Sequence, residues 1–292
     1  MKQKVMKAVN TAQLKFENSG IQMARLEAEM LAAHVLRCER HHLYLNRELS
    51  MGSEQLNTYY KMVEERCLGK PIQYIIGYRE FMGLSFKVDK NVLVPRCDTE
   101  VLVESALERL PSDREILVAD MGTGSGAIGV SIAHYMPNAK VLATDLDEGA
   151  LGVASANAKM HGVEDRVEFL KGDMFYAFGA ESLGMFDAII SNPPYIPTGE
   201  IATLSRDVSK YEPRGALDGG EDGLDFYRQI SSKGHLFLKE GGFIALEVGY
   251  GQAAPVSKIL QNRGSYTDVC SIEDLSGIER VVIAYISKGK KE

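Results

Sequence analysis

The residues best placed to do chemistry follow an apolar run, 186–190, in the stretch Ser191-Asn192-Pro193-Pro194-Tyr195-Ile196-Pro197. Three prolines end a strand abruptly and leave an amide and a phenol ring displayed at its tip. A planar NH2 group is a poor nucleophile, because its nitrogen lone pair is delocalised into a carbonyl or an aromatic ring. If the Asn192 side-chain oxygen and the Pro193 carbonyl accept its two hydrogens, the nitrogen is positioned and its lone pair is aimed at an electrophile. Pro193 has no N–H but keeps its carbonyl, and the rigid ring fixes where that carbonyl points. Tyr195 can stack on the planar group and orient it. Such an attack needs positioning more than a strong base, since the nitrogen becomes acidic as its new bond forms. No Ser-His-Asp, Cys-His or metal constellation is required.

The electrophile's place is suggested by Asp120-Met121-Gly122-Thr123-Gly124-Ser125-Gly126. Glycines let a backbone turn tightly and approach a ligand, and free amides at a helix start suit polar or anionic groups. Gly124-x-Gly126-x-x-Gly129 also satisfies the dinucleotide fingerprint, with Asp145 where a ribose-binding acid should stand. Two cofactor classes remain open on these residues, a nicotinamide or flavin dinucleotide and S-adenosylmethionine. Asp120 weighs toward the second, because a carboxylate there disfavours a pyrophosphate but suits the ammonium of a methionine moiety, directly or through water. Gly172-Asp173-Met174 then offers an acceptor for an adenine amino group beside an apolar side chain for the ring's face.

Alternating strands and helices must position these groups. Residues 116–121, 140–144, 167–170, 186–190 and 242–248 are short apolar runs, separated by helical segments such as 127–136 and 148–161. That rhythm predicts right-handed crossovers and a parallel sheet covered on both faces, with ligands outside the carboxyl ends of the strands. Ahead of it the first 70 residues read as helical. Ala24, Ala28, Leu31, Val35 and Cys38 recur at spacings of three and four, as do Leu56, Tyr60, Val63 and Cys67, with Ser53 as an N-cap. Pro71 closes this bundle, and residues 81–95 read as a hairpin turning around Asp89-Lys90-Asn91. Residues 99–110 return to helical spacing. The glycines at 215, 219, 220 and 223, taken alone, mean a mobile surface connection.

The 292 residues, 45% hydrophobic and 25% charged, suffice for two domains. No apolar run is long enough for a membrane span and the N-terminus lacks the pattern of a signal peptide, so a cytoplasmic protein is expected. The four cysteines are scattered and form no CxxC pair, which suggests neither zinc site nor disulfide framework, and Cys38 with His41 and His42 has no second ligand pair. The net charge of -7 is uneven, +4 over residues 1–90 and -11 over 91–292. An acidic main body argues against stable nucleic-acid binding.

With these residues in place, the chain resembles the S-adenosylmethionine-dependent methyltransferases carrying an Asn-Pro-Pro-Tyr motif, and among them the release-factor glutamine methyltransferases, the HemK/PrmC family. Besides NPPYIP and DMGTGSGAIGV, the resemblance rests on GKPIQYIIG (69–77), EFMGLSFKVDKNVLVPRCDTE (80–100) and YEPRGALDGGEDGLDFY (211–227), and spans nearly the whole chain. It implies a small helical N-terminal substrate-recognition domain (1–78), a β-hairpin linker (79–97) and a Rossmann-like, seven-stranded class I methyltransferase domain (98–292). The implied activity is methylation of the side-chain amide nitrogen of the Gln in the Gly-Gly-Gln loop of class 1 peptide chain release factors. The cofactor is S-adenosylmethionine, its product S-adenosylhomocysteine, and the enzyme is expected to be monomeric. Carried onto this sequence, Gly122, Thr123, Gly124, Ser125, Gly126, Asp145, Asp173, Met174 and Asn192 contact the cofactor, while Asn192, Pro193, Pro194 and Tyr195 grip the substrate glutamine. Arg96 and Glu212 border the substrate channel, and no metal is implied.

One departure is visible. Cys97 stands where the family usually has a second proline, which reduces local stiffness beside Arg96. Rival readings are a glutamine methyltransferase of a ribosomal protein, an adenine-N6 nucleic-acid methyltransferase, a dinucleotide oxidoreductase and a non-catalytic cofactor-binding adaptor. The nucleic-acid enzyme needs a basic cleft or an added target-recognition domain, and the acidic half offers neither.

Overall fold

The computed structural model describes residues 2–46 and 48–287. The chain divides into two compact units, one formed by Met1–Gly77 with Ser205–Tyr211, the other by Tyr78–Leu204 with Glu212–Glu292. Residues 288–292 of the expected catalytic domain lie outside the described residues.

The first unit contains β1 (Gln3–Lys4), α1 (Val5–Asn18), α2 (Ala24–Leu36), α3 (His42–Leu45), β2 (Ser50–Met51), α4 (Ser53–Cys67) and α5 (Ile72–Ile76). Its core takes Val5, Val9 and Phe16 from α1, Ala28 and Leu31 from α2, and Leu56, Tyr59 and Val63 from α4. The stripe on α2 holds through Ala24, Ala28, Leu31 and half-buried Val35, but the helix ends at Leu36 with Arg37 left-handed, so Cys38 lies beyond it. On α4 the buried ring is Tyr59, whose hydroxyl donates to the Ala28 carbonyl at 3.1 Å, while Tyr60 is only half-buried. Two further expectations change. Gly52 is the N-cap of α4, with the Gln55 side chain reaching back to its N–H at 3.0 Å, so Ser53 is the first helical residue. Pro71 opens α5 rather than closing the bundle, since a missing N–H costs nothing at a helix start.

In the second unit, β3 (Tyr78–Phe81) and β4 (Leu84–Lys87) form an antiparallel hairpin. Its turn is at Met82-Gly83, both at positive φ as a tight two-residue hairpin requires. The predicted turn at Asp89-Lys90-Asn91 is instead a local bend in which the Asn91 N–H donates to the Asp89 carboxylate at 2.9 Å. Then follow α6 (Cys97–Leu107), β5 (Ile116–Met121), α7 (Ala127–Tyr135), β6 (Ala139–Asp145), α8 (Glu148–Met160), β7 (Val167–Lys171) and β8 (Phe186–Ser191). After α9 (Arg206–Tyr211), which belongs to the first unit, come α10 (Asp225–Phe237), β9 (Leu238–Glu247), α11 (Ala253–Arg263), β10 (Tyr266–Glu273) and β11 (Glu279–Ile286).

Among the described residues the second unit carries a seven-stranded sheet in the order β10-β11-β9-β8-β5-β6-β7. Strands β5 to β9 are parallel and β11 runs antiparallel to both its neighbours. The central strands ILVADM and FDAIIS are almost wholly buried because helices cover both faces. The chain moves outward from β5 through β6 to β7, then returns to pair β8 on the other side of β5. This reversal leaves a crevice at the carboxyl ends of β5 and β8, where an open α/β sheet binds its ligands. The expected Rossmann-like, seven-stranded sheet is thereby borne out.

Candidate active site

A cavity of about 520 Å³ lies at that crevice, within the usual range for small-molecule sites. The glycine loop forms one wall. Gly122, Gly124 and Gly126 all have positive φ, a conformation that side chains resist. A Cβ on Gly122 or Gly124 would meet nothing in the protein, so the backbone there is open to a ligand, whereas one on Gly126 would press on Ala154 of α8 at 3.1 Å. Gly126 therefore serves helix packing and does not line the cavity, whereas Gly122, Thr123, Gly124 and Ser125 do.

Asp120 supports this loop from behind. It is fully buried, and its Oδ2 accepts from the Thr123 hydroxyl at 2.5 Å and the Gly129 N–H at 2.9 Å. Burial pushes its pKa up to about 6 against the pull of those two bonds. It is absent from the cavity wall and braces the loop through Oδ2, while its buried Oδ1 makes no hydrogen bond in the protein. Asp145, at the end of β6, does line the cavity. Its Oδ2 accepts from the Gly124 N–H and its Oδ1 from the Asp147 N–H, both at 2.9 Å. Burial raises its pKa, opposed by those backbone bonds. Each oxygen keeps a further lone pair, so ligand hydroxyls can still be accepted.

Asp173 and Met174 complete that side. Met174 sits at φ 50°, an uncommon conformation for a residue with a side chain, at the start of a short 3-10 turn after β7. Gly172 precedes them because a Cβ there would lie 2.7 Å from Ala177.

The end of β8 supplies the opposite wall with Asn192, Pro193 and Pro194. Ser191 ties it to β5 by donating its hydroxyl to the Met121 carbonyl at 2.7 Å. Asn192 Nδ2 donates to Thr99 Oγ1 at 3.1 Å, a partner the sequence reading missed. Tyr195 is half-buried outside the cavity wall, against the core beneath β9, where a Cβ on Gly249 would touch its ring at 3.0 Å. Burial raises its phenol pKa, so it stays protonated.

The glycine-rich segment after Glu212 is fastened rather than loose. Ile196 donates to the Leu217 carbonyl at 3.0 Å, Gly219 donates to the Ile196 carbonyl at 2.9 Å, and Thr198 donates to the Gly220 carbonyl at 2.9 Å. Gly219 and Gly223 come so close that a Cβ would lie 2.8 Å from the Pro194 oxygen and 2.4 Å from the Tyr195 oxygen. The glycines thus permit close backbone approach, which composition alone could not distinguish from a mobile connection. Gln252, also missed, clasps both sides: its Nε2 donates to the Tyr195 carbonyl at 2.9 Å and the Gly223 carbonyl at 3.4 Å. Arg96 reaches the cavity wall, and its Nη2 donates to both oxygens of Glu212 at 2.8 and 2.7 Å. Glu212 is buried beneath it and does not line the cavity.

These residues fit S-adenosylmethionine. The glycine cradle has room at two positions, carboxylates at Asp145 and Asp173 suit hydroxyl and amino groups, and Ile128, Leu146 and Met174 give apolar surface. The same acidic wall disfavours a pyrophosphate.

Comparison with known proteins decides the family. The chain matches the family model for the PrmC N-terminal domain over residues 7–77 and that for the methyltransferase small domain over 98–206. It is 43% identical to the release factor glutamine methyltransferase of Geobacter sulfurreducens over 90% of both chains, and 41% identical to that of Moorella thermoacetica over 95% of this chain and 97% of the relative. The chain belongs to the release factor glutamine methyltransferase family. It is an enzyme of the methyltransferase class, as the motifs led one to expect. Among solved structures, the catalytic domain of hMettl16 in complex with MAT2A 3'UTR hairpin 6 superposes with a TM-score of 0.54 over 84% of this chain and 86% of that one. At 15% identity that likeness concerns the fold alone. Among the described residues no helix is long and apolar enough to cross a membrane.

Proposed function

We propose that this chain transfers a methyl group from S-adenosylmethionine to the side-chain amide nitrogen of the Gln in the Gly-Gly-Gln motif of class 1 peptide chain release factors. One observation carries the reading: Asn192 and Pro193 line the same cavity as Gly122, Gly124 and Asp145. A planar amide held by the first pair therefore lies within reach of whatever the second group binds.

When bound, S-adenosylmethionine supplies an electrophilic methyl group on a sulfonium centre. Gly122, Thr123, Gly124 and Ser125 approach it through their backbone, with Gly126 fixing the loop's exit. Asp145 accepts from the ribose hydroxyls, Asp173 from the adenine amino group, and Met174 covers the ring's face. The Asn192 oxygen and the Pro193 carbonyl accept the two N–H groups of the glutamine amide. Pro194 stiffens the clamp, and Tyr195 stacks on the amide plane at the clamp's outer side. The nitrogen loses its proton to water once its new bond forms. Arg96, held by Glu212, borders the channel through which the glutamine enters. The N-terminal domain, residues 1–78, recognises the release factor, the hairpin linker spans 79–97, and residues 98–292 carry the chemistry in a monomer.

Full-length protein with labelled S-adenosylmethionine should label a class 1 release factor and leave both a ribosomal protein and a DNA fragment unlabelled. Calorimetric titration should give saturable binding of S-adenosylmethionine and none of NAD. Label on the ribosomal protein or the DNA, with none on the release factor, would favour the corresponding rival.

A further inference from the structure

Asn192 must present its oxygen, not its nitrogen, to a substrate amide, yet an amide side chain has nearly the same shape either way round. Its surroundings have to choose. Nδ2 donates to Thr99 Oγ1 at 3.1 Å. A hydroxyl donates as readily as it accepts, so Thr99 alone leaves both orientations open. Beyond it stands Glu247, the last residue of β9. Thr99 is 4% exposed and Glu247 1%. Register between β8 and β9 sets Ser191 opposite Leu246, which brings the following residues, Asn192 and Glu247, to the same sheet edge. The Glu247 carboxylate faces the Thr99 and Asn192 side chains, its Oε2 is buried without a partner, and the Tyr227 hydroxyl holds its backbone carbonyl at 2.9 Å.

We propose that Glu247 is a positioning residue, an acceptor-only group that draws the Thr99 and Asn192 donors toward itself and so leaves the Asn192 oxygen facing the substrate. The inference rests on the reading that this clamp receives an amide NH2. An ionised carboxylate cannot donate. The Thr99 hydroxyl therefore points at Glu247 and accepts from Asn192 Nδ2, and the polarity of the chain is fixed from its buried end. Neither Glu247 nor Thr99 stands in the sequence motifs as a reactive group, since their effect passes through Asn192.

The charged and titratable groups around Glu247 are Asp98 on α6, Arg280 on β11, Tyr195 and Tyr227. Burial pushes Glu247 up to about 7, with Asp98 adding to the rise and Thr99, Arg280 and Asn192 opposing it. A protonated carboxyl donates as well as accepts, so the fixed polarity is lost as pH falls through that value.

The test compares wild type, Glu247→Gln, Thr99→Val and Thr99→Ser as full-length proteins on whichever acceptor of the panel the wild type methylates. A failure of the release-factor reading then shows in the wild type alone. At saturating cofactor and acceptor, kcat should fall roughly tenfold to a hundredfold in Glu247→Gln and Thr99→Val. Thr99→Ser should restore it to within about threefold, and S-adenosylmethionine affinity should stay within about threefold in all three. The acid limb of the wild-type kcat profile should disappear in Glu247→Gln. Independently of turnover, the Asn192 side-chain amide NMR signals, assigned by their absence from Asn192→Ala, should titrate in wild type and not in Glu247→Gln. Wild-type kcat in both variants, Asn192 signals indifferent to Glu247, or a parallel loss of cofactor affinity, melting temperature and activity would overturn the proposal.

Discussion

Asn192→Ala is expected to lower kcat for methyl transfer by about a hundredfold to a thousandfold while S-adenosylmethionine affinity stays within about tenfold. On the proposed reading the alanine removes the acceptor for one N–H of the substrate amide, and with it the alignment of a delocalised lone pair. Pro193 keeps the second acceptor, because its carbonyl belongs to the backbone. The proposed cofactor side of the cavity is built from the glycine loop and Asp145, whose hydrogen bonds do not pass through Asn192. The fold should also persist, since Ser191, not Asn192, ties the end of β8 to β5. Stopped or steady-state transfer assays beside calorimetry separate the two quantities. Loss of cofactor binding together with activity would make the Asn-Pro-Pro-Tyr turn a structural element.

Asp145→Ala is expected to do the converse, weakening S-adenosylmethionine binding by about a hundredfold with kcat at saturation reduced less than about tenfold. Hydrogen bonds to a charged group contribute about 1.5–3 kcal/mol each, and two ribose hydroxyls at the low end of that range, with water replacing part of the loss, account for an effect of about a hundredfold. The change also frees the Gly124 N–H, whose 2.9 Å bond to Asp145 Oδ2 helps shape the loop. Asp145→Asn is the milder variant, because its amide retains one acceptor and can still meet a ribose hydroxyl. An unchanged dissociation constant in Asp145→Ala would remove the ribose from this corner of the cavity.

Much of this site is legible in the chain because it lies where strands end. The run 116–121 corresponds to β5 without a shift, and glycines or prolines stop β5 and β8 at the crevice. Local chemistry announces such positions: a glycine at positive φ and a proline without an N–H each leave a mark in the sequence. Partners brought together by the sheet leave none. Thr99 meets Asn192 across 93 positions of chain, and Gln252 meets Tyr195 across 57. Asp120 shows the same limit, since its place before the glycines says it is near the loop but not that it accepts from Thr123 and Gly129. The hairpin turn moved to Met82-Gly83 because Asp89 and Asn91 satisfy one another locally, and polar turn formers signal a bend without saying which bend joins two strands.

The central claim is that the clamp at Asn192, Pro193 and Tyr195 acts on a glutamine amide of a release factor. Its most direct measurement is label transfer from S-adenosylmethionine to a class 1 release factor, set beside the same factor with the Gln of its Gly-Gly-Gln motif replaced. Label should appear on the first and be absent from the second, whereas equal label on both would contradict the assignment.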